Sequence, residues 1–433
     1  MNLLTVSVTL VGILVFLLGG TVWIGVSLFL VGLSGLMIFT GLPATTIMAN
    51  IAWNNTSGST MLALPLFIFM GEILFRSKIS DNLFKGLAPW VDAIPGRLLH
   101  VNIFASTLFA AVSGSSAATT ATVGKITLPE FEKRDYDRKL SLGSLAGSGT
   151  LGFLIPPSMM MLVYGIMADV SIGKLFMAGF IPGVIIALVF SGYVIIRCMR
   201  NPALAPESAS SYTWGDRMRG IPLLAPVVIL VGVVLGSIYA GWATPTEAAA
   251  VGVVGSLFFA ALGRSLTWNV FREALMGCVK TSCMIMWIVC GAAFLSVAVG
   301  YLGIPRKLTE AIAQAGVSPY MLIVILSVMY LFMGCLLDGF SMIVMSLPIS
   351  LPLISMAGFD PVWYGIYLVI MIQVAQITPP VGFNLFVING LTGEDMGKIA
   401  MASLPFFIML LIITAVLTVF PDIVLFLPSL MVR

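Results

Sequence analysis

Charged residues are scarce in this chain of 433 residues, because Asp, Glu, Lys and Arg together make up only 9% of it. Hydrophobic residues make up 59% and the mean hydropathy is +1.10, which is far more apolar surface than a soluble core can bury. Basic runs with interleaved aromatics, which are typical of nucleic-acid-binding proteins, are also missing. The composition therefore predicts an all-α polytopic membrane protein that contacts the lipid bilayer and binds no nucleic acid.

Residues that carry catalysis or hold metals are few as well. The chain has five cysteines, none of them in a CxxC spacing, and one histidine, so it indicates neither a disulfide framework nor a transition-metal site. It has no GxxxxGK[ST] loop for ATP. The lone His100 is separated from the serines at 113–116 by most of a helix, which disfavours an intramembrane serine protease. We therefore expect no enzyme and no cofactor, and a driving force that comes from an ion gradient or a partner.

Apolar windows of membrane-spanning length recur from end to end, within one integral domain that occupies residues 1–433. Lys and Arg concentrate in alternate connections, and placing these connections in the cytoplasm predicts that both chain termini are periplasmic. The first twenty residues lack the basic start of a cleaved signal and are interpreted as an anchor. The predicted continuous spans are 3–18, 22–40, 61–75, 175–196, 221–240, 246–262, 281–300 and 402–420.

Residues 79–97 differ from these spans, because apolar residues recur there at helical spacing among charged ones. This pattern predicts an amphipathic helix that lies on the membrane surface. Two roles fit it equally well at this level, a lever between moving parts and a simple surface connector.

The chain carries the same landmarks twice. Residues 127–129, 136–137 and 155–157 align without a gap with residues 350–352, 359–360 and 378–380, at an offset of 223 residues, and Ser115 then falls on Asp338. Charge does not repeat with them: Lys and Arg occupy the first connecting segment, whereas residues 353–362 contain neither. The sequence therefore predicts inverted-topology repeats, the first at about 61–196 and the second at about 281–420.

Each predicted repeat contains two interrupted elements. Short apolar segments at 98–129 and 319–352 are each divided by a small polar run, which predicts two re-entrant helical hairpins with tips at 113–116 and 337–339. The spans 140–168 and 362–390 contain glycines or paired prolines, which predicts two broken helices. In the first, the interruption is expected at 147–150 and 155–158; in the second, at 376–380.

Tips and breaks that meet at one depth create paired helix ends, whose free carbonyls attract cations and whose free amides attract anions. The sequence therefore predicts two sodium sites. The first comprises Ser113, Ser115, Ser116, Gly149, Thr150, Pro156, Pro157 and Ser158. The second comprises Asp338, Gly339, Gln376, Thr378 and Pro379.

Asp338 is the strongest single candidate in these sites, because a carboxylate within the membrane is costly unless it is paired or functional. Glu247 and Asn384 are further candidates for substrate contact or gating, although a helix cap also explains Glu247. Small residues at the tips also fit a simpler role, which is close helix packing.

Five segments carry a family resemblance. They read SGSSAATTATVG (113–124), LPEFEKRDYD (128–137), GTLGFLIPPS (149–158), ATPTEAAAVG (243–252) and TPPVGFNLFV (378–387). In this order the segments resemble the large membrane (M) subunit of tripartite ATP-independent periplasmic (TRAP) transporters, within the ion transporter superfamily. The likeness extends over essentially the whole chain.

This resemblance implies a permease of the bacterial inner membrane that imports an organic acid together with sodium ions by an elevator mechanism. It also implies two partners, a periplasmic substrate-binding protein and a small four-helix membrane subunit, which we expect to be a separate chain. Family members carry C4-dicarboxylates, sialic acid and other acids, so the cargo is expected only to be a carboxylate. The family's sodium-binding positions fall on the serine tip, the Pro-Pro breaks and Asp338.

Two alternatives remain open at this point. One is a stand-alone sodium/dicarboxylate symporter of a related family, which would share the repeat but need no binding protein. The other is a non-transporting membrane scaffold or enzyme.

Overall fold

The structure is a computed structural model that describes residues 3–206, 212–335, 337–379 and 382–431. Within these ranges the regular structure is entirely helical. The first ten α-helices are α1 Leu3–Gly19, α2 Ile24–Phe39, α3 Ala44–Ser57, α4 Ala63–Arg76, α5 Ile79–Val91, α6 Leu99–Ser113, α7 Ser116–Lys133, α8 Arg138–Gly149, α9 Met159–Ala168 and α10 Ile172–Arg200. The next ten are α11 Trp214–Tyr239, α12 Pro245–Leu262, α13 Trp268–Tyr301, α14 Ile304–Gln314, α15 Pro319–Gly334, α16 Gly339–Met356, α17 Pro361–Gln376, α18 Phe383–Thr392, α19 Met396–Val419 and α20 Asp422–Ser429.

Many of these helices suit a lipid environment. Six of those described are long and apolar enough to cross a bilayer, namely α10, α11, α12, α13, α16 and α19. Large apolar side chains point outward from them, as Leu262 and Val254 do at 70% and 68% exposure, and hydrocarbon would accept such surface. The prediction of an all-α polytopic membrane protein is thus confirmed.

Helix boundaries follow the offset of 223 residues found in the sequence. The helices α7 and α16 are both 18 residues long and begin at Ser116 and Gly339, which are 223 positions apart. The same spacing separates the starts of α8 and α17, at Arg138 and Pro361. Helices α9 and α18 follow within one residue of it. Helix pairs α6–α7 and α15–α16, with connections at 114–115 and 335–338, occupy the two segments predicted as hairpins.

Helix α8 ends later than the sequence predicts. The sequence predicts a break at 147–150, but α8 continues through Gly149 and is followed by a short 3₁₀ turn, Thr150–Phe153, and an irregular stretch before α9. Gly143 and Gly147 instead lie against α19, where their missing side chains admit Ala402 and the ring of Phe406. The glycines therefore serve close helix packing, and the irregular segment begins only after them. In the second repeat α17 ends at Gln376 and α18 begins at Phe383, while Pro380 lies outside the described residues.

Four further helices differ from the sequence prediction. Helix α3 occupies most of the stretch 41–60, which was predicted only as a connection, and α20 follows the last predicted span. Helix α14 places Ile304, Leu308 and Ile312 on one face, with Arg306 and Lys307 between them. Its last residue lies 223 positions after the last residue of α5, so α14 is the counterpart of that helix. Helix α5 itself is shorter than predicted and ends at Val91 rather than 97.

The close approach of α8 and α19 gives a stability prediction. We expect Gly143→Ala to lower the free energy of unfolding by about 1–3 kcal/mol, because the added methyl would overlap the carbonyl oxygen of Ala402, which belongs to backbone and cannot rotate away. The measurement is the thermal unfolding midpoint of the purified protein in detergent.

The matched control is Gly236→Ala in α11, where no atom lies within 4 Å of the added carbon. This change should leave the midpoint unchanged or raise it slightly, since alanine favours a helix by about 1 kcal/mol. Equal midpoints for both variants would contradict the packing role of Gly143.

Candidate functional site

The first tip joins α6 to α7 through two residues. Gly114 has φ +58°, which favours glycine, and an added Cβ would lie 3.1 Å from the carbonyl oxygen of Pro157. Ser115 is the N-cap of α7, and its hydroxyl accepts a hydrogen bond from the Ala118 amide at 3.4 Å. The tip therefore turns tightly and rests on the irregular segment between α8 and α9.

Hydroxyl groups at this tip form a buried chain. The Ser113 and Thr119 hydroxyls are 2.9 Å apart, and Thr119 donates to the carbonyl oxygen of Ser115 at 2.8 Å. Ser113 is 4% exposed and Ser116 is fully buried. Several hydroxyl and carbonyl oxygens are therefore close together at this tip.

Asn384 ties three helices together next to this tip. Its Oδ1 accepts a hydrogen bond from the Ser116 hydroxyl at 2.8 Å, and its Nδ2 donates to the carbonyl oxygen of Ala146 at 3.3 Å. It is fully buried, on α18 of the second repeat, while Ser116 and Ala146 lie on α7 and α8 of the first. The nearby Thr120 hydroxyl is buried and has no hydrogen-bond partner among the described residues. Sequence reasoning selected Asn384 for substrate contact or gating but gave no indication of this internal pairing.

The second tip is organised by Asp338, the N-cap of α16. One carboxylate oxygen accepts hydrogen bonds from the amides of Phe340 and Ser341, at 3.0 and 3.5 Å, and the other accepts the Ser341 hydroxyl. Gly339 packs tightly, since an added Cβ would lie 2.6 Å from Ile372 and 2.9 Å from Met160. Asp338 is therefore a satisfied cap, and the residue after it meets the start of α9.

The start of α9 brings the two tips together. Gly114 lies against Pro157 and Met159, and Gly339 lies against Met160, so consecutive residues of one segment contact both tips. Ser158 begins this helix: its hydroxyl accepts from the Met161 amide at 3.4 Å and donates to the carbonyl oxygen of Phe153. Pro156 and Pro157, which cannot donate backbone hydrogen bonds, are buried just before it.

A second contact joins equivalent positions of the two repeats. The Thr150 hydroxyl donates to Oε1 of Gln373 at 3.3 Å, and these residues are separated by 223 positions, which is the repeat offset itself. A contact between equivalent positions is what a two-fold relation between the halves predicts. Both residues are fully buried. The offset could have identified Gln373 from the sequence, because it is the position to which Thr150 maps.

The described side chains at the second break form fewer hydrogen bonds than those at the first. Thr378 donates from its hydroxyl to the carbonyl oxygen of Val374 at 2.7 Å, and the carbonyl oxygen of Pro379 accepts from the Cys335 thiol at 3.5 Å. The Oε1 atom of Gln376 is buried, and no partner for it occurs in the part of the chain that is described. It is thus an available acceptor at the predicted second sodium site.

Glu247 is not part of this arrangement. Its carboxylate accepts hydrogen bonds from the amide and hydroxyl of Thr244, both at 2.8 Å, which closes a capping box at the start of α12. None of these bonds involves another predicted site residue. Across the described ranges, His, Cys, Asp and Glu also form no cluster of three or more that could hold a metal ion.

The bond between Ser116 and Asn384 gives a second prediction. We expect Ser116→Ala and Asn384→Ala each to lower the free energy of unfolding by about 1–3 kcal/mol, because each leaves a buried polar group unpaired. The double variant should lose less than the sum of the two, with a coupling of about 1 kcal/mol. Reversible unfolding in mixed micelles measures all three values.

Ser355→Ala is the control, since that exposed hydroxyl bonds only to the carbonyl oxygen of Leu351 in its own helix. It should change little and should not couple to Asn384→Ala. Strict additivity of the Ser116 and Asn384 losses would refute the interaction between them.

Comparison with known proteins identifies the family of this chain. Residues 10–423 match the family described as "Tripartite ATP-independent periplasmic transporter, DctM component". The chain is 34% identical over 373 residues to the C4-dicarboxylate TRAP transporter large permease protein DctM of Pseudomonas aeruginosa, a match that covers 86% of each chain. It is 30% identical over 410 residues to the sialic acid TRAP transporter large permease protein SiaM of Vibrio cholerae, covering 94% of this chain and 95% of that one.

A solved structure is similar in fold. The crystal structure of the Alcanivorax borkumensis YdaH transporter aligns with a TM-score of 0.63 over 84% of this chain and 86% of that chain, at 12% sequence identity. Identity at this level shows a shared fold alone. The sequence relatives are transporter permeases and not enzymes, which agrees with the lack of catalytic motifs. Because the family match covers nearly the whole length, the chain belongs to the tripartite ATP-independent periplasmic transporter family as a large permease subunit.

Proposed function

We propose that this permease imports an organic acid together with sodium ions, and that it receives the acid from a periplasmic binding protein. The observation that carries the proposal is the meeting of both tips at the start of α9, with oxygen-rich turns from each half of the chain. Hydroxyl, carbonyl and carboxylate oxygens suit a hard monovalent cation, and helix starts suit an anion. One small region then offers complementary sites for a cation and a carboxylate.

The first sodium site would use oxygens of the Ser113–Ser116 turn and of Thr150. The hydroxyl chain from Ser113 through Thr119 supports this, because it already concentrates oxygens in a buried place. Ser158 and the two preceding prolines hold the facing segment in its irregular form. Gly149 contributes by allowing the approach of Thr120, whose unpartnered hydroxyl is one more acceptor.

The second sodium site would use Asp338, Gln376 and the backbone near Thr378. The carboxylate of Asp338 supplies a full negative charge, which offsets the cost of desolvating a cation. The unpartnered Oε1 of Gln376 supports the assignment, since a buried acceptor without a donor is satisfied by a cation.

An elevator mechanism would move one group of helices against another. Two groups of contacts support such a division: α2, α4, α12 and α13 pack on one another, and so do α7, α8, α18 and α19. The first tip and both breaks include a helix of the second group, and α16 of the second tip reaches this group through α17, while it also contacts α13 of the first group. A cation and an acid bound beside the first tip and the breaks would travel with the second group. The inverted repeats, 61–196 and 281–420, make the inward and outward arrangements equivalent.

The proposed cargo and partners are based on the relatives of this chain. Two of them are named for C4-dicarboxylate and for sialic acid, both of which carry a carboxylate, so a carboxylate is the chemical class proposed here. A small four-helix membrane subunit and a periplasmic binding protein complete the proposed transporter, in the bacterial inner membrane with both termini periplasmic.

The proposal is tested by reconstitution with the small subunit in proteoliposomes. We expect uptake of the acid to require both an inward sodium gradient and the binding protein. Uptake that continues at the same rate after the sodium gradient or the binding protein is removed would contradict the proposal.

Asp338→Ala provides the sharper test of the second site. We expect the sodium concentration for half-maximal uptake to rise at least tenfold, because the variant removes the only full charge of the site; tenfold corresponds to about 1.4 kcal/mol. Ser115→Ala should act in the same direction but less strongly. Sodium titrations of initial uptake rates measure both.

Asp395→Ala is the matched control, because Asp395 also caps a helix by accepting two backbone amides, those of Gly397 and Lys398. Both aspartate variants lose about 1 kcal/mol of capping. Only the Asp338 variant should lose sodium dependence. An equal sodium response in the two variants would show that Asp338 acts as a cap alone.

A further inference from the structure

An elongated apolar cavity of about 930 Å³ lies between α1, α14, α15 and α16. We call it the α1–α16 slot. Its walls are almost entirely aliphatic or aromatic. On α1 and α15 they comprise Leu10, Val11, Leu14, Val15, Leu18, Leu322, Ile325, Leu326, Met329 and Met333. The lining residues extend over thirteen positions of α1, from Ser7 to Gly19, and over twelve positions of α15, from Leu322 to Met333, so the slot is about 16 Å long or slightly longer.

The equivalent place in the first repeat is closed. Residues 122, 123, 126 and 127 of α7 border a cavity of only about 10 Å³. At the offset of 223 they correspond to residues 345, 346, 349 and 350 of α16, all of which line the slot. The same position therefore holds almost no free volume in one half of the molecule and a large one in the other.

The amphipathic helices of the two repeats are covered by different elements. Helix α5 packs against α11 so closely that an added Cβ on Gly86 would lie 2.8 Å from Leu224 and 3.0 Å from the carbonyl oxygen of Gly220. Its counterpart α14 packs on α16, α13 and α1, and Ile304, Leu308 and Ile312 face the slot. The two amphipathic helices thus have different packing partners, and α14 borders the large cavity.

We propose that an acyl chain of a membrane phospholipid occupies the α1–α16 slot. An apolar void of this volume would forfeit dispersion contacts along every wall, and the bilayer supplies the filling. The slot length of about 16 Å matches one leaflet, half of a hydrocarbon core of about 30 Å.

The headgroup would lie beside α14. Arg306 is on this helix between slot-lining residues, its side chain is 86% exposed, and it pairs with Glu310 at 2.9 Å on the outer face. Lys307 follows it, next to Leu308 of the slot wall. A guanidinium binds phosphate through two parallel hydrogen bonds, so α14 supplies a phosphate contact at the surface end of the slot.

The test uses phosphatidylglycerol with a photoreactive diazirine in its acyl chain, in nanodiscs that contain the purified protein. We expect cross-links on slot-lining residues of α1 and α15, mapped by mass spectrometry. Val11→Trp should reduce slot labelling at least fivefold, because the indole obstructs the slot beside α1. Val8→Trp is the control, since Val8 is also exposed, at 63%, and lies on the same helix outside the slot.

A second pair of variants, on α15, tests whether a folding defect at α1 explains the loss of labelling. Ile325 lines the slot from α15, whereas its neighbour Val324 is exposed and does not line it. Ile325→Trp should therefore reduce slot labelling, and Val324→Trp is its control. The double variant Arg306→Gln, Lys307→Gln should lower labelling by phosphatidylglycerol severalfold. Labelling that is equal in slot and control variants would show annular lipid only and overturn the proposal. A photoreactive residue can also replace Val11 in cells. If it cross-links to another protein, a partner helix occupies the slot and the proposal is overturned.

Discussion

Hydrocarbon offers no hydrogen bonds, so every irregular stretch of this backbone must find its partners within the protein. That constraint governs the centre of the molecule. The Ser115 and Ser158 hydroxyls and the Asp338 carboxylate each cap a helix where the chain changes direction. The turns that result are polar, and both pack against the segment that starts α9. The ion sites proposed above would be a consequence of this requirement.

Small residues make that burial feasible. Glycines at 143 and 147 allow α8 to approach α19, and Gly339 allows the second tip to reach α9 and α17. The approach is close enough for long-range polar pairs to form, such as the one between Ser116 and Asn384, which are 268 residues apart. Packing and polar chemistry are thus inseparable here, since the loss of a close contact would also separate donors from acceptors.

Much of this could be predicted from the sequence, because prolines, glycines and the 223-residue offset mark where helices start and stop. The two tips and the second break were predicted within a few residues. The helical state of Gly147 was not, since its reason is the ring of Phe406, which lies far along the chain. Helix α14 was missed because its apolar residues are few and interleaved with charge. The role of Asn384 depends on a partner that no local pattern reveals.

The bond between Thr150 and Gln373 has an evolutionary implication. Where two halves share a common origin, a residue beside their symmetry axis once faced an identical copy of itself, and one side chain had to be donor and acceptor at the same time. Fusion into a single gene removes that obligation. The pair observed now, a short hydroxyl opposite a long amide, could not exist in an assembly of identical halves, so the two halves have diverged in sequence at the place where they meet.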